Sequence, residues 1–272
     1  MKKVIIPFDG ARLSEGAISF AIHLNHSQPI LLSGIFLSRL DFLSFFLFPP
    51  SFTDNASFAE KDAEAENIQK NIEVFTSLCY ENNIAFRIHK DIDDFALPEL
   101  TKETRFADLL IIGSEIIFKN ISEDEYNIFL KHTLQHTECP VMVVPEKFYF
   151  PSLNILAYDG STSSVFAIKQ FAYLFPELCE NKTILAYALQ EVAEIPAEEN
   201  IEELVASHFS NLATTVLNTA DKENFREWVL KHENPLLVCG SFARVGFSSQ
   251  FIKGLVINII DAHRIPVFIT HQ

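Results

Sequence analysis

Leu236-Leu237-Val238-Cys239-Gly240-Ser241-Phe242-Ala243-Arg244-Val245-Gly246-Phe247-Ser248-Ser249 opens the stretch that decides the fold, and Ile265-Pro266-Val267-Phe268-Ile269 closes it. An unbroken apolar run ending in Gly-Ser reads as a strand buried on both faces, as strands of parallel sheets are. The same succession occurs earlier, as Leu109-Leu110-Ile111-Ile112-Gly113-Ser114 followed by Cys139-Pro140-Val141-Met142-Val143-Val144. Working back towards the start of each copy, an apolar strand runs into an acidic turn. These turns are Val4-Ile5-Ile6-Pro7-Phe8-Asp9-Gly10 and Ile155-Leu156-Ala157-Tyr158-Asp159-Gly160.

Three landmarks in one order, present twice, mark an internal repeat. Asp9 and Asp159 lie 150 positions apart, Gly113 and Gly240 lie 127 apart, and Pro140 and Pro266 lie 126 apart. The first copy is therefore longer by 23 residues (150 − 127), between its first and fourth strands. The surplus coincides with a Phe-rich stretch around residues 38–60. Pro151 marks a short linker, giving domains over residues 1–147 and 152–272.

Apolar runs alternating with helical patterns indicate parallel strands with crossover helices. The first copy reads as strands near 3–8, 29–36, 84–89, 108–113 and 140–145, with helices near 14–25, 58–82, 94–104 and 124–137. The second reads as strands near 153–158, 182–188, 213–218, 235–240 and 265–270, with helices near 162–175, 198–212, 221–232 and 248–262. Ser14 suits the N-cap of the first helix. Ile68, Ile72, Phe75, Leu78 and Cys79 recur at helical spacing.

Among 272 residues, 48% are hydrophobic and 26 are Phe, so the cores are expected to be rich in that ring. A net charge of −15 opposes association with nucleic acid or anionic membranes. Cys79, Cys139, Cys179 and Cys239 form no C-x-x-C pair and read as reduced, buried thiols of a cytoplasmic protein. Residues 35–52 are strongly apolar but contain Arg39 and Asp41. They are too short to span a bilayer, which takes about 20 apolar residues. A covered or partner-facing segment is the simpler reading.

The ordered, duplicated motifs resemble the universal stress protein family in its tandem form, over nearly the whole chain. The resemblance implies an α/β protein of two domains, each a five-stranded parallel sheet of order 3-2-1-4-5 with helices on both faces. It further implies that the two domains pair within the chain through their last strands, and a homodimer is a possible further assembly. In ATP-binding members the acidic residue after the first strand meets the nucleoside. A G-x2-G-x9-G-(S/T) loop after the fourth strand wraps the phosphates, because glycine lets backbone N–H groups come close.

Carried onto this sequence, the second copy offers Asp159, Gly160, Gly240, Ser241, Arg244, Gly246, Ser248 and Gly254 as nucleotide-binding candidates, for ATP or ADP with Mg. Ala243 replaces the second glycine, Gly254 comes one position late, and Leu255 replaces the closing Ser or Thr. In the first copy Asp9, Gly10, Gly113 and Ser114 are vestiges. No glycine follows before the next helix, and Glu123, Asp124 and Glu125 stand where phosphates would sit. Turn chemistry alone also accounts for both Asp-Gly pairs.

His132 and His136 share a helical face at zinc-like spacing, but His263 recurs near the matching place in the second copy. A structural position at a helix end explains both, and no metal is expected. Neither G-x-S-x-G nor G-x-x-x-x-G-K-(S/T) is present. The expectation is a non-enzymatic stress-response or regulatory protein that acts through a protein partner. Its rivals are an ATP-binding switch sited in the second domain and a carrier of a small hydrophobic ligand.

Overall fold

The structure is a computed structural model, and it describes residues 1–9, 13–37, 58–89, 96–115, 133–134, 136–189, 195–218, 222–240 and 256–270. Residues 38–52 of the Phe-rich segment lie outside these, as do most of the helices expected over 124–137 and 248–262. The chain forms two compact units, Met1–Cys139 and Pro140–Gln272.

In the first unit β1 (Lys2–Asp9) leads to α1 (Glu15–Ser27), β2 (Ile30–Leu37), α2 (Phe58–Glu81), β3 (Ala85–His89), α3 (Ala96–Thr104) and β4 (Leu109–Gly113). Every strand pairing is parallel, in the order β3-β2-β1-β4. Ser14 caps α1 as its sequence position suggests, its Oγ accepting the Ala17 N–H at 3.2 Å.

Successive side chains of a strand point to opposite faces, so one strand anchors two helices. Phe8 of β1 meets Phe75 of α2 with ring centroids 5.5 Å apart. Lys3, of opposite parity, reaches Glu103 of α3 at 3.0 Å. Phe36 and Phe86 complete an edge-packed aromatic core around Phe75, with centroids at 5.8 and 5.9 Å. Aromatic rings favour such tilted contacts because their edges are positive and their faces negative.

The second unit begins with β5 (Val141–Val144), the strand that closes the first sequence copy. It continues through β6 (Leu153–Tyr158), α4 (Thr162–Leu174), β7 (Lys182–Leu189), α5 (Glu198–His208), β8 (Leu212–Asn218), α6 (Lys222–Leu230), β9 (Pro235–Gly240) and β10 (Val267–Thr270). The parallel strands run β8-β7-β6-β9-β10, the 3-2-1-4-5 order in full. The first unit fills the first four places of that order. β5 lies antiparallel to β10, with Met142 opposite Phe268. The closing Pro-Val strands of the two copies therefore cover each other's edges, which prevents either from templating aggregation. This pairing puts β5 with the second unit, so the compact units divide at 139/140, eleven residues (151 − 140) before Pro151.

Two local features depart from the sequence reading. The helix expected over 198–212 stops at His208, where Phe209 turns extended and is buried against Phe171. After Pro176 a 3-10 turn, Leu178–Glu180, links α4 to β7. Buried Asn154 of β6 holds this turn, its Nδ2 donating to the Leu178 carbonyl at 2.6 Å and to Thr183 Oγ1 at 3.0 Å.

Candidate functional site

In a doubly wound sheet, ligands bind at the carboxyl ends of the strands where the strand order reverses. In the second unit that point lies between β6 and β9, which pair in register from Leu153–Pro235 to Leu156–Val238. β6 runs out at Asp159-Gly160 and β9 at Gly240, and both meet the start of α4.

Asp159 Oδ1 accepts the Ser161 N–H at 3.0 Å, forming an Asx-turn. Ser161 then caps α4, its Oγ accepting the Ser164 N–H at 3.1 Å, while Ser164 Oγ donates back to the Ser161 carbonyl at 2.8 Å. On the other side Gly240 approaches this turn so closely that a Cβ there would lie 2.5 Å from the Ser163 carbonyl carbon and 2.6 Å from Ser164 N. Only glycine fits such an approach. Asp159, Gly160 and Gly240 are thus brought together around one helix start. Ser241, Arg244, Gly246, Ser248 and Gly254 lie outside the described residues.

Gly160 holds φ +82, the left-handed region, and a Cβ on it would lie 2.7 Å from Pro196 Cβ. Pro196 is placed by Tyr158, whose hydroxyl donates to the Pro196 carbonyl at 2.6 Å. Tyr158 is the register partner of Tyr187 on β7, and their rings meet edge to face at 5.8 Å. The Tyr187 hydroxyl reaches Glu202 Oε1 of α5 at 3.5 Å.

Sequence reasoning did not single out Tyr158, Tyr187 or Pro196. For Tyr158 the signal was nonetheless present, because a tyrosine ending a buried strand needs a partner for its hydroxyl.

The electrostatics centre on Asp159. Burial, and next the Asp159 carboxylate, raise the Tyr158 hydroxyl above its ordinary value. The same two causes raise the Cys239 thiol. Tyr187 is pushed up to about 12 by burial and then by the carboxylates of Glu202 and Glu198. Both hydroxyls keep their protons at neutral pH and remain donors.

In the first unit β1 ends at Asp9, and Gly10 lies outside the described residues. β4 ends at buried Gly113, and the buried Ser114 Oγ donates to Glu115 Oε2 at 3.1 Å. An acidic side chain thus sits directly on the Gly-Ser vestige. His136 is exposed, His132 lies outside the described residues, and His263 takes a left-handed φ of 46 just past the helical residues 256–260. Among the described residues no group of three His, Cys, Asp or Glu is placed to hold a metal ion. Among them, too, no helix is long and apolar enough to cross a membrane.

A scan against protein-family models finds no match, and neither does a search of curated proteins. Solved structures do match over the whole chain. A universal stress protein from Archaeoglobus fulgidus superposes with a TM-score of 0.68 at 13% identity, covering 100% of this chain and 96% of that one. A Pseudomonas aeruginosa protein given the same family name superposes with a TM-score of 0.54 at 11% identity, covering 100% and 93%. A functionally unknown protein from Pseudomonas aeruginosa PAO1 gives 0.54 at 12% identity, covering 100% and 92%. At such identities the likeness speaks for the fold. The chain has the universal stress protein fold, in two tandem copies.

Proposed function

We propose that this chain is a non-enzymatic regulatory protein of the universal stress protein type, working through a protein partner, with neither copy acting on nucleotide. The observation that carries this reading is the hydrogen bond from the Ser161 N–H to Asp159 Oδ1 at 3.0 Å. One oxygen of the carboxylate that would meet a nucleoside is engaged in closing its own turn. The loop chemistry argues the same way, since Ala243 and Leu255 replace residues that would wrap phosphate. In the first copy Glu123, Asp124 and Glu125 would repel a triphosphate, as like charges do.

Equilibrium dialysis of the full chain against labelled ATP with Mg, with released phosphate measured alongside, tests the reading. The expected result is no retention above a protein-free control and no phosphate release. Saturable retention that Asp159→Ala abolishes would replace it with an ATP-binding switch in the second unit. Retention with turnover would make the protein an enzyme.

A further inference from the structure

Pro196 lies over Gly160 at the carboxyl end of β6, yet it belongs to the turn that opens α5. That turn carries little support of its own. Ala197 takes φ 50 and ψ 43, a left-handed conformation that a residue with a Cβ adopts only where its surroundings impose it. As the N-cap of α5 it supplies no side-chain hydrogen bond. Two tyrosines do the holding instead. They stand side by side on neighbouring strands, Tyr158 bonded to the Pro196 carbonyl and Tyr187 reaching Glu202 one turn into the helix.

We propose that residues 195–197 form a strap across the carboxyl end of β6, and that the Tyr158 hydroxyl is its latch. The strap covers Gly160, the residue that follows Asp159. Breaking one hydrogen bond releases both the proline and the left-handed residue behind it, so the first turn of α5 opens as a unit. Tyr187, with its longer contact, steadies the helix beyond the strap and is not the latch. A local opening of this kind draws on the low end of a protein's range of opening energies. The inference deepens the reading of this switch point given above and rests on it.

Hydrogen exchange read by mass spectrometry on the full chain tests it. The probe is the start of α5, where the Ile201 N–H bonds the Ala197 carbonyl at 3.0 Å. Tyr158→Phe removes one oxygen and keeps the ring. It is expected to speed exchange there about five-fold, the effect of one neutral hydrogen bond. Peptides from β6, β7 and α4 should keep wild-type rates. Pro196→Ala, which removes the ring from Gly160 but keeps the carbonyl that the latch bonds, should leave the same amides near wild-type rates.

Unchanged exchange at α5 in Tyr158→Phe would overturn the latch. So would an equal acceleration across β6, β7 and α5, which would mean general destabilisation. Retention of ATP by the wild-type chain would instead overturn the functional reading, so the two failures are told apart.

Discussion

At the residue scale, Gly240 and the four cysteines make the sharpest statements. Gly240→Ala would drive a Cβ to 2.5 Å from the backbone of Ser163, which belongs to a capped helix and cannot turn aside. Overpacking of this kind costs about 1–3 kcal/mol, and a fall in the urea midpoint without a change of slope would record it. Gly34→Ala is the milder control, because its Cβ would meet the Phe75 ring edge at 3.0 Å, and a ring can tilt. Burial pushes the Cys79, Cys139 and Cys179 thiols up to about 12. Thiolate is the reactive form, so a thiol reagent at pH 8 should label none of these cysteines in the native protein and all of them in urea. The glycines and cysteines were visible in the sequence, but the reason for Gly240 was not. Its neighbour is a helix start nearly eighty positions earlier.

At the element scale, α4 depends on its cap. Ser161→Ala leaves the Ser164 N–H without its acceptor and should cost about 1 kcal/mol in denaturant titrations. A cost near zero would mean that Asp159 takes over the cap. The strands were legible because apolar runs bounded by Gly, Pro and Asp have one reading. β6 and β9 fall on the expected residues, and β10 alone is two residues shorter at its start. Helix α5 was read too long because Ser207 to Asn211 carries no breaker stronger than Ser-Asn. The burial of Phe209 ends it, and burial is a tertiary effect. The Pro196–Gly160 contact was illegible for a related reason, since it depends on the path of the chain between β7 and α5.

At the scale of the whole molecule, the buried thiols and Tyr187 set the alkaline limit. Each has a folded-state value above its unfolded one, so the unfolded chain loses protons first as pH rises. Their stabilising contribution is complete below about pH 8.5–9. It is lost progressively towards pH 12, where the thiols and Tyr187 titrate in the folded state. The melting temperature should therefore fall steadily above pH 9, and a flat profile from pH 8 to 11 would contradict the burial described.

The duplication, the strand order and the pairing of the closing strands were all implied by the repeat and its family resemblance. Nucleotide binding at the switch point of the second unit is what separates the proposed reading from its rival. The melting temperature of the full chain with and without millimolar Mg-ATP tests that most directly. A ligand at about 100 times its dissociation constant stabilises by about 2.7 kcal/mol, a shift of several degrees for a protein of this size. The account predicts no shift. A rise of several degrees that Asp159→Ala removes would contradict it.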